Sequence, residues 1–299
     1  MFGKNAKEYR GWVKRKECME QMPYHLNMVN TGSTAGYYAF DYQYWKGTGF
    51  NLGWQPQTLY YDFEILKKYG DHLAEGARVF LCIEEFKLLV DHYPSPQAAL
   101  KYYFILDPEQ IYGYNKRTAK LLLCAPCFVK KSFFRSEVGA IIRRIFRIKR
   151  KEIEFHSKEE KDIYYSNYYL ELWEKEFGWE KGNERLSEEQ KKSVEINLQR
   201  LEQVILYCRE NKWEPIVVII PFSPNISDRL PESIMQECLW KPIDKIRMSG
   251  CLVLDLYHDE RLYNYQLYRD GISLNEAGRQ IFNEVVQECW KREKAGDGE

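Results

Sequence analysis

The chain has 299 residues, 44% hydrophobic and 29% charged, which suits one large folded core or two smaller ones and excludes a disordered polymer. Lys plus Arg and Asp plus Glu both total 44, so the formal net charge is zero, which argues against a general polyanion binder; no nucleic-acid partner is expected. No apolar run reaches the roughly 18 residues that span a bilayer, and the start MFGKNAKEYRGWVKRKECME has no apolar stretch of the kind a signal peptide needs, so neither is expected.

In chain order, five short runs predict strands: HLNMVN (25–30), FNLG (50–53), ARVFLCI (77–83), PIVVIIPF (215–222) and CLVLDLY (251–257). The third and fourth are almost continuously apolar, as parallel strands covered on both faces are. Helical patterns fall between them. PQTLYYDFEILKKYG (56–70) opens on proline and closes on glycine. The segment 187–211 opens with a Ser-x-x-Gln capping box and places Val194, Leu198, Leu201, Ile205 and Cys208 on one face. Residues 275–294 close the chain as a helix. Alternating strands and helices predict an α/β fold, a three-layer α/β/α sandwich on a five-stranded parallel sheet.

Residues 93–186 contain no strand pattern and predict a helical insertion or cap between strands three and four, within a single domain spanning 1–299. Its first half is basic: from Ile111 to Lys151 there are twelve Lys or Arg and one acid, Glu137. AIIRRIFRIKRKEIEF alternates apolar and basic residues near helical spacing. It fits either a docking face for an anionic membrane or an acidic protein, or a cap helix with a solvated basic side. Eight scattered cysteines read as reduced thiols and the chain as cytoplasmic, or peripheral to a membrane if 111–151 is the docking face. Cys124-Ala-Pro-Cys127 has redox or half-zinc spacing, but no second pair accompanies it, so no metal or cofactor is expected.

The stretch VNTGSTAGYYAFDY (29–42) sets Gly32-Ser33-Thr34 directly after the first strand and before a helix. Ser33 fits two roles there. It could cap the helix, or it could be a nucleophile held by a tight glycine turn near the positive end of the helix. Near the far end, YRDGISLNEAGRQIF (268–282) adds Asp270, Leu274, Asn275 and Gly278 in a fixed frame.

These two blocks resemble the SGNH (GDSL-like) hydrolase superfamily, most closely its branch associated with acylation of cell-surface polysaccharides and teichoic acids. The resemblance covers most of the chain outside the insertion. It implies a flavodoxin-like sheet and a serine ester hydrolase or O-acyltransferase site. Ser33 falls on the nucleophile position and Asp270 on the acid. Gly32, Asn51, Gly53 and Gln57 would line the oxyanion and acyl pocket. The substrate implied is a glycan or acylated carbohydrate.

The departures are specific. The family histidine falls on Ser273, whose hydroxyl cannot take a proton near neutral pH as an imidazole does. Counting five residues from Asn51 reaches Pro56, which has no N–H, although a shift by one residue moves the donor to Gln57 or Gln55. The third family block should supply an asparagine after strand three, where the chain reads CIEEFK. Of the five histidines, His258 ends strand five at the correct edge of the sheet and reads as either a loop residue or a rescuing base. Two functions follow: a degenerate relative (a pseudoenzyme) that binds a glycan or partner through Tyr37, Tyr38, Tyr42, Trp45 and Trp54, or an active enzyme using Ser33.

Overall fold

The apolar runs become the inner strands of one sheet, because side chains covered by helices on both faces must be apolar on both. The computed structural model describes residues 6–89, 95–146, 153–178 and 185–296. Its strands are β1 (Leu26–Asn30), β2 (Gly49–Asn51), β3 (Leu73–Ile83), β4 (Glu214–Ile219) and β5 (Leu252–Asp255). All pairings are parallel, in the order β2-β1-β3-β4-β5. Asn30 is level with Asn51 on one side and with Phe80 on the other, which sets the ends of three neighbouring strands along one edge. β3 starts four residues earlier than the sequence run, at Leu73, and its half-exposed start carries no continuous apolar signal.

The helices are α1 (Lys7–Glu20), α2 (Thr34–Ala39), α3 (Leu59–Tyr69), α4 (Pro96–Ala99), α5 (Lys116–Cys124), α6 (Lys131–Phe146), α7 (Lys158–Phe177), α8 (Glu188–Glu210), α9 (Pro224–Ser227), α10 (Glu232–Met235), α11 (Lys241–Met248) and α12 (Glu276–Gly296). α8 packs on β4, α3 and α11, and α11 packs on β5, which makes one layer. α12 packs on α2 and β5, and α2 packs on β3, which makes the other. Phe40 joins that second layer to the sheet, with its ring centroid 5.0 Å from Phe80 and 5.2 Å from Phe282. The capping box predicted at Ser187 forms with Gln190, and Leu201, Val204, Ile205 and Cys208 of α8 are buried.

The chain divides into two compact units, Met1–Pro23 with Tyr93–Glu154, and Tyr24–His92 with Phe155–Glu299. This differs from the single domain with an insertion over 93–186. The first unit forms because Tyr9 and Trp12 of α1 meet the rings of Phe104 and Phe133 at centroid distances of 5.3–5.9 Å. Beyond Phe155 the chain belongs to the sheet unit, where Trp173 of α7 stacks on Phe222 at 5.4 Å and tilts against Phe86 at 5.0 Å. Those two phenylalanines follow β4 and β3, so α7 covers the carboxyl ends of these strands. Arg147, the cations after it up to Lys151, the side chains of Arg143 and Arg144, and His92 lie outside the described residues.

Candidate active site

The strand order places a switch point between β1 and β3. The chain leaves β1 for β2 on one side, then crosses back over β1 to β3 on the other, and a crevice opens where the two connections part at the carboxyl edge. Thr31, Gly32 and Ser33 leave β1 at that crevice, and Glu84 leaves β3. Gly32 has φ of 128°, and a Cβ there would stand 2.7 Å from Cys82 Cβ, so only glycine lets the turn lie so close to β3.

Ser33 occupies the N-cap position of α2, yet its side chain makes no capping hydrogen bond. Its Oγ instead accepts the backbone N–H of Gln57 at 3.1 Å. The hydroxyl is therefore aimed across the crevice and not down its own helix. α2 has six residues, so the dipole field expected at Ser33 is small. The N–H that Pro56 lacks is present one residue on, at Gln57, and it faces Ser33.

Behind Ser33 lies a buried charged cluster. Asp62 Oδ1 accepts Gly32 N–H at 3.0 Å and Gln57 Nε2 at 2.6 Å. Lys87 Nζ stands 3.0 Å from Asp62 Oδ2, with both side chains 1% exposed, and also donates to the Gln57 carbonyl. One carboxylate and one ammonium thus fasten both the turn after β1 that carries Ser33 and the loop between β2 and α3 that carries its N–H donor.

Glu84 completes the crevice. Burial pushes its carboxyl up to about 7, against opposing pulls from the Lys87 ammonium, its own backbone N–H and a hydrogen bond from the Ser33 side chain, while Asp62 pushes it further up. Its Oε2 is closed off from solvent and has no hydrogen-bond partner among the described residues. Glu85, next to it, accepts Phe222 N–H at 3.2 Å through Oε1 and is held well above the usual carboxylate range by burial. Glu84, Asp62 and Lys87 were missed by the motif frame, which looked for an asparagine after β3. The legible signal was the Glu-Glu pair directly after an apolar strand.

The other residues singled out in the sequence are distributed unevenly. Asn51 Oδ1 accepts Gly53 N–H at 2.9 Å and Asn30 Nδ2 at 3.1 Å, and its Nδ2 donates to the carbonyls of Tyr37 and Phe40. Asn51 and the Gly53 amide thereby tie β2 to α2, and these bonds occupy the donors that an oxyanion would need. Asp270 Oδ1 accepts Ser273 N–H at 3.0 Å, and Oδ2 accepts Arg269 at 3.0 Å. Arg269 in turn lies 4.1 Å over the Tyr38 ring, which brings this loop against α2. Ser273 is fully buried, and its Oγ has no hydrogen-bond partner among the described residues.

His258 stands apart. Its Nδ1 lies 3.1 Å from Asp255 Oδ2 at the end of β5, its ring packs on Trp240 and Tyr257, and it is exposed. β3 and β4 separate β5 from β1, about 14 Å at the usual strand spacing. Among the described residues no hydrogen bond or ion pair joins Ser33 to Asp270 or to His258. The proposed recognition aromatics are divided. Trp45 and Trp54 are buried in the core, and Tyr42 is half-buried with its hydroxyl donating to Asn30 at 3.1 Å, which leaves Tyr37 and Tyr38 half-exposed beside Ser33.

No family model matches the chain, and no curated protein matches it. Among solved structures, one described as "The structure of a putative platelet activating factor from Streptococcus pneumonia" is similar, with a TM-score of 0.42 and 13% identity, over 93% of this chain and 90% of that one.

Proposed function

We propose that this chain is an atypical SGNH-like protein whose Ser33 crevice performs acyl transfer on an acylated carbohydrate, as an ester hydrolase or O-acyltransferase, with Glu84 in place of the missing imidazole. The observation that carries this reading is the Ser33 hydroxyl set between the Gln57 N–H at 3.1 Å and a carboxyl pushed up to about 7. A base with a pKa near the working pH combines a populated basic form with enough driving force to take a proton.

Ser33 Oγ attacks the ester carbonyl carbon while its proton passes to Glu84. The Gln57 N–H, which faces Ser33 Oγ, serves as a donor for the developing negative oxygen. Collapse of the tetrahedral species expels the carbohydrate alkoxide, which takes the proton from Glu84 and leaves as an alcohol. Water or a second sugar hydroxyl then attacks the acyl-serine by the same exchange. Asp62 and Lys87 position the Ser33 turn and the loop that carries Gln57, and act through them.

A second reading, a glycan-binding relative without turnover, is favoured by Ser273 at the histidine position and by the bonds that occupy Asn51 and the Gly53 amide. Turnover of small acyl esters by the wild type, Ser33→Ala and Glu84→Gln separates the two. The enzyme reading expects each variant to lose about a hundredfold or more. Wild-type turnover that survives Ser33→Ala overturns it, and absence of turnover with glycan binding retained supports the second reading.

A further inference from the structure

We propose that the helical unit docks on an anionic lipid surface through the corner between α5 and α6, independently of the chemistry at Ser33. Leu123, Phe128 and Phe134 are 61%, 79% and 52% exposed in one short helix–turn–helix segment. Their neighbours in sequence, Leu122 and Phe133, are almost completely buried and hold the segment to its own core. The exposed side chains are thus not loose ends of a poorly packed region. They project from a fixed scaffold.

The charge pattern names the occupant. On α5, Lys116, Lys120 and Leu123 follow one another at spacings of four and three, so they share a face. On α6, Lys131, Phe134 and Arg135 share a face in the same way. Each face therefore carries apolar groups with cations at their flanks. Lys116, Arg117, Lys120, Lys131 and Arg135 make no ion pair among the described residues, while Lys130 is paired with Glu8. No acidic residue occurs between Ile111 and Ser136.

A solvated basic face would explain the cations but not three exposed apolar side chains among them. An acidic protein would satisfy the charge, but it would need a separate apolar pocket matched to each of the three side chains, whereas acyl chains need no such match. The boundary of an anionic bilayer accepts both, with apolar tips among the acyl chains and ammonium groups at the phosphates. Among the described residues no helix is long and apolar enough to cross a membrane, so the contact is at the surface.

Sedimentation of the full-length protein with vesicles tests this. Binding is expected to phosphatidylcholine vesicles containing phosphatidylglycerol, to be absent with phosphatidylcholine alone, and to weaken as salt rises. Phe128→Ala, a surface change that spares the core, is expected to lower partitioning about tenfold. Replacing Lys116, Arg117 and Lys120 together by Gln is expected to lower it on the order of a hundredfold, from about fivefold per cation. Circular dichroism confirms that each variant is folded. Equal binding to neutral vesicles, no binding to either kind, or binding unchanged in both variants overturns the proposal. So does binding to polyglutamate that is independent of Phe128, which assigns the patch to an acidic protein.

Discussion

Lys87 Nζ lies 3.0 Å from Asp62 Oδ2 with both side chains 1% exposed, and Asp62 holds the Gly32 amide through its other oxygen. The turn that presents Ser33 is therefore anchored by a buried ion pair contributed by α3 and the segment after β3. Lys87→Met removes one charge and leaves the other buried without its partner. It is expected to destabilise the protein by about 3–5 kcal/mol. Urea denaturation reads this as a lower midpoint with an unchanged slope; an unchanged midpoint would mean that water already solvates Asp62.

Glu84 makes stability depend on pH in a direction opposite to an ion-paired carboxylate. Its folded pKa of about 7 lies above the ordinary 4.5. Between those values the folded protein keeps a proton that the unfolded chain has released. The stability from this group is fully present below about pH 4.5 and is lost as pH rises through about 7. Glu84→Gln mimics the protonated form. It is expected to match the wild type near pH 4 and exceed it at pH 8 in thermal midpoint, and equal midpoints at both values would remove Glu84 from the account.

The same carboxyl sets the pH profile of any turnover. A base must be ionised, so kcat/KM with small esters is expected to rise tenfold per pH unit below about 7 and level off above it. A profile that falls with increasing pH through that range would exclude Glu84 as the proton acceptor.

Ser273→His restores the family spacing from Asp270 but is not expected to create a base. The serine is fully buried, so an imidazole overfills the site. A loss of about 1–3 kcal/mol is expected from strain, with no gain in esterase turnover. A well-folded variant with turnover raised a hundredfold would show that the Asp270 loop reaches Ser33 after all.

The sheet was legible because its inner strands must be apolar on both faces; ARVFLCI and PIVVIIPF can be little else. The Gly32–Ser33 turn was legible because few residues fit between a strand and a helix that lie so close. The charged cluster was not. Asp62 sits inside a run that reads as an amphipathic helix, and Lys87 in a short turn, and only the fold brings them together at 3.0 Å. The two-unit division was hidden for the same reason, since Tyr9 and Phe133 are distant in sequence and nothing local links them. His258 misled because Asp-x-x-His spacing describes only its bond to Asp255, whereas position across the sheet depends on strand order.

The close approach of Gly32 and Gly36 to Cys82 makes that thiol a built-in reporter. A Cβ at either glycine would come within 2.8 Å of Cys82 Cβ, and burial holds the thiol well above its ordinary pKa, so it stays protonated and shielded. Cys18 and Cys124, which are exposed, take up an alkylating reagent directly. Cys82 can do so only when the turn lifts away from β3. Its labelling rate is therefore a clock for how often the serine-bearing turn opens, and tight ligand binding in the crevice would slow that clock without altering the other two.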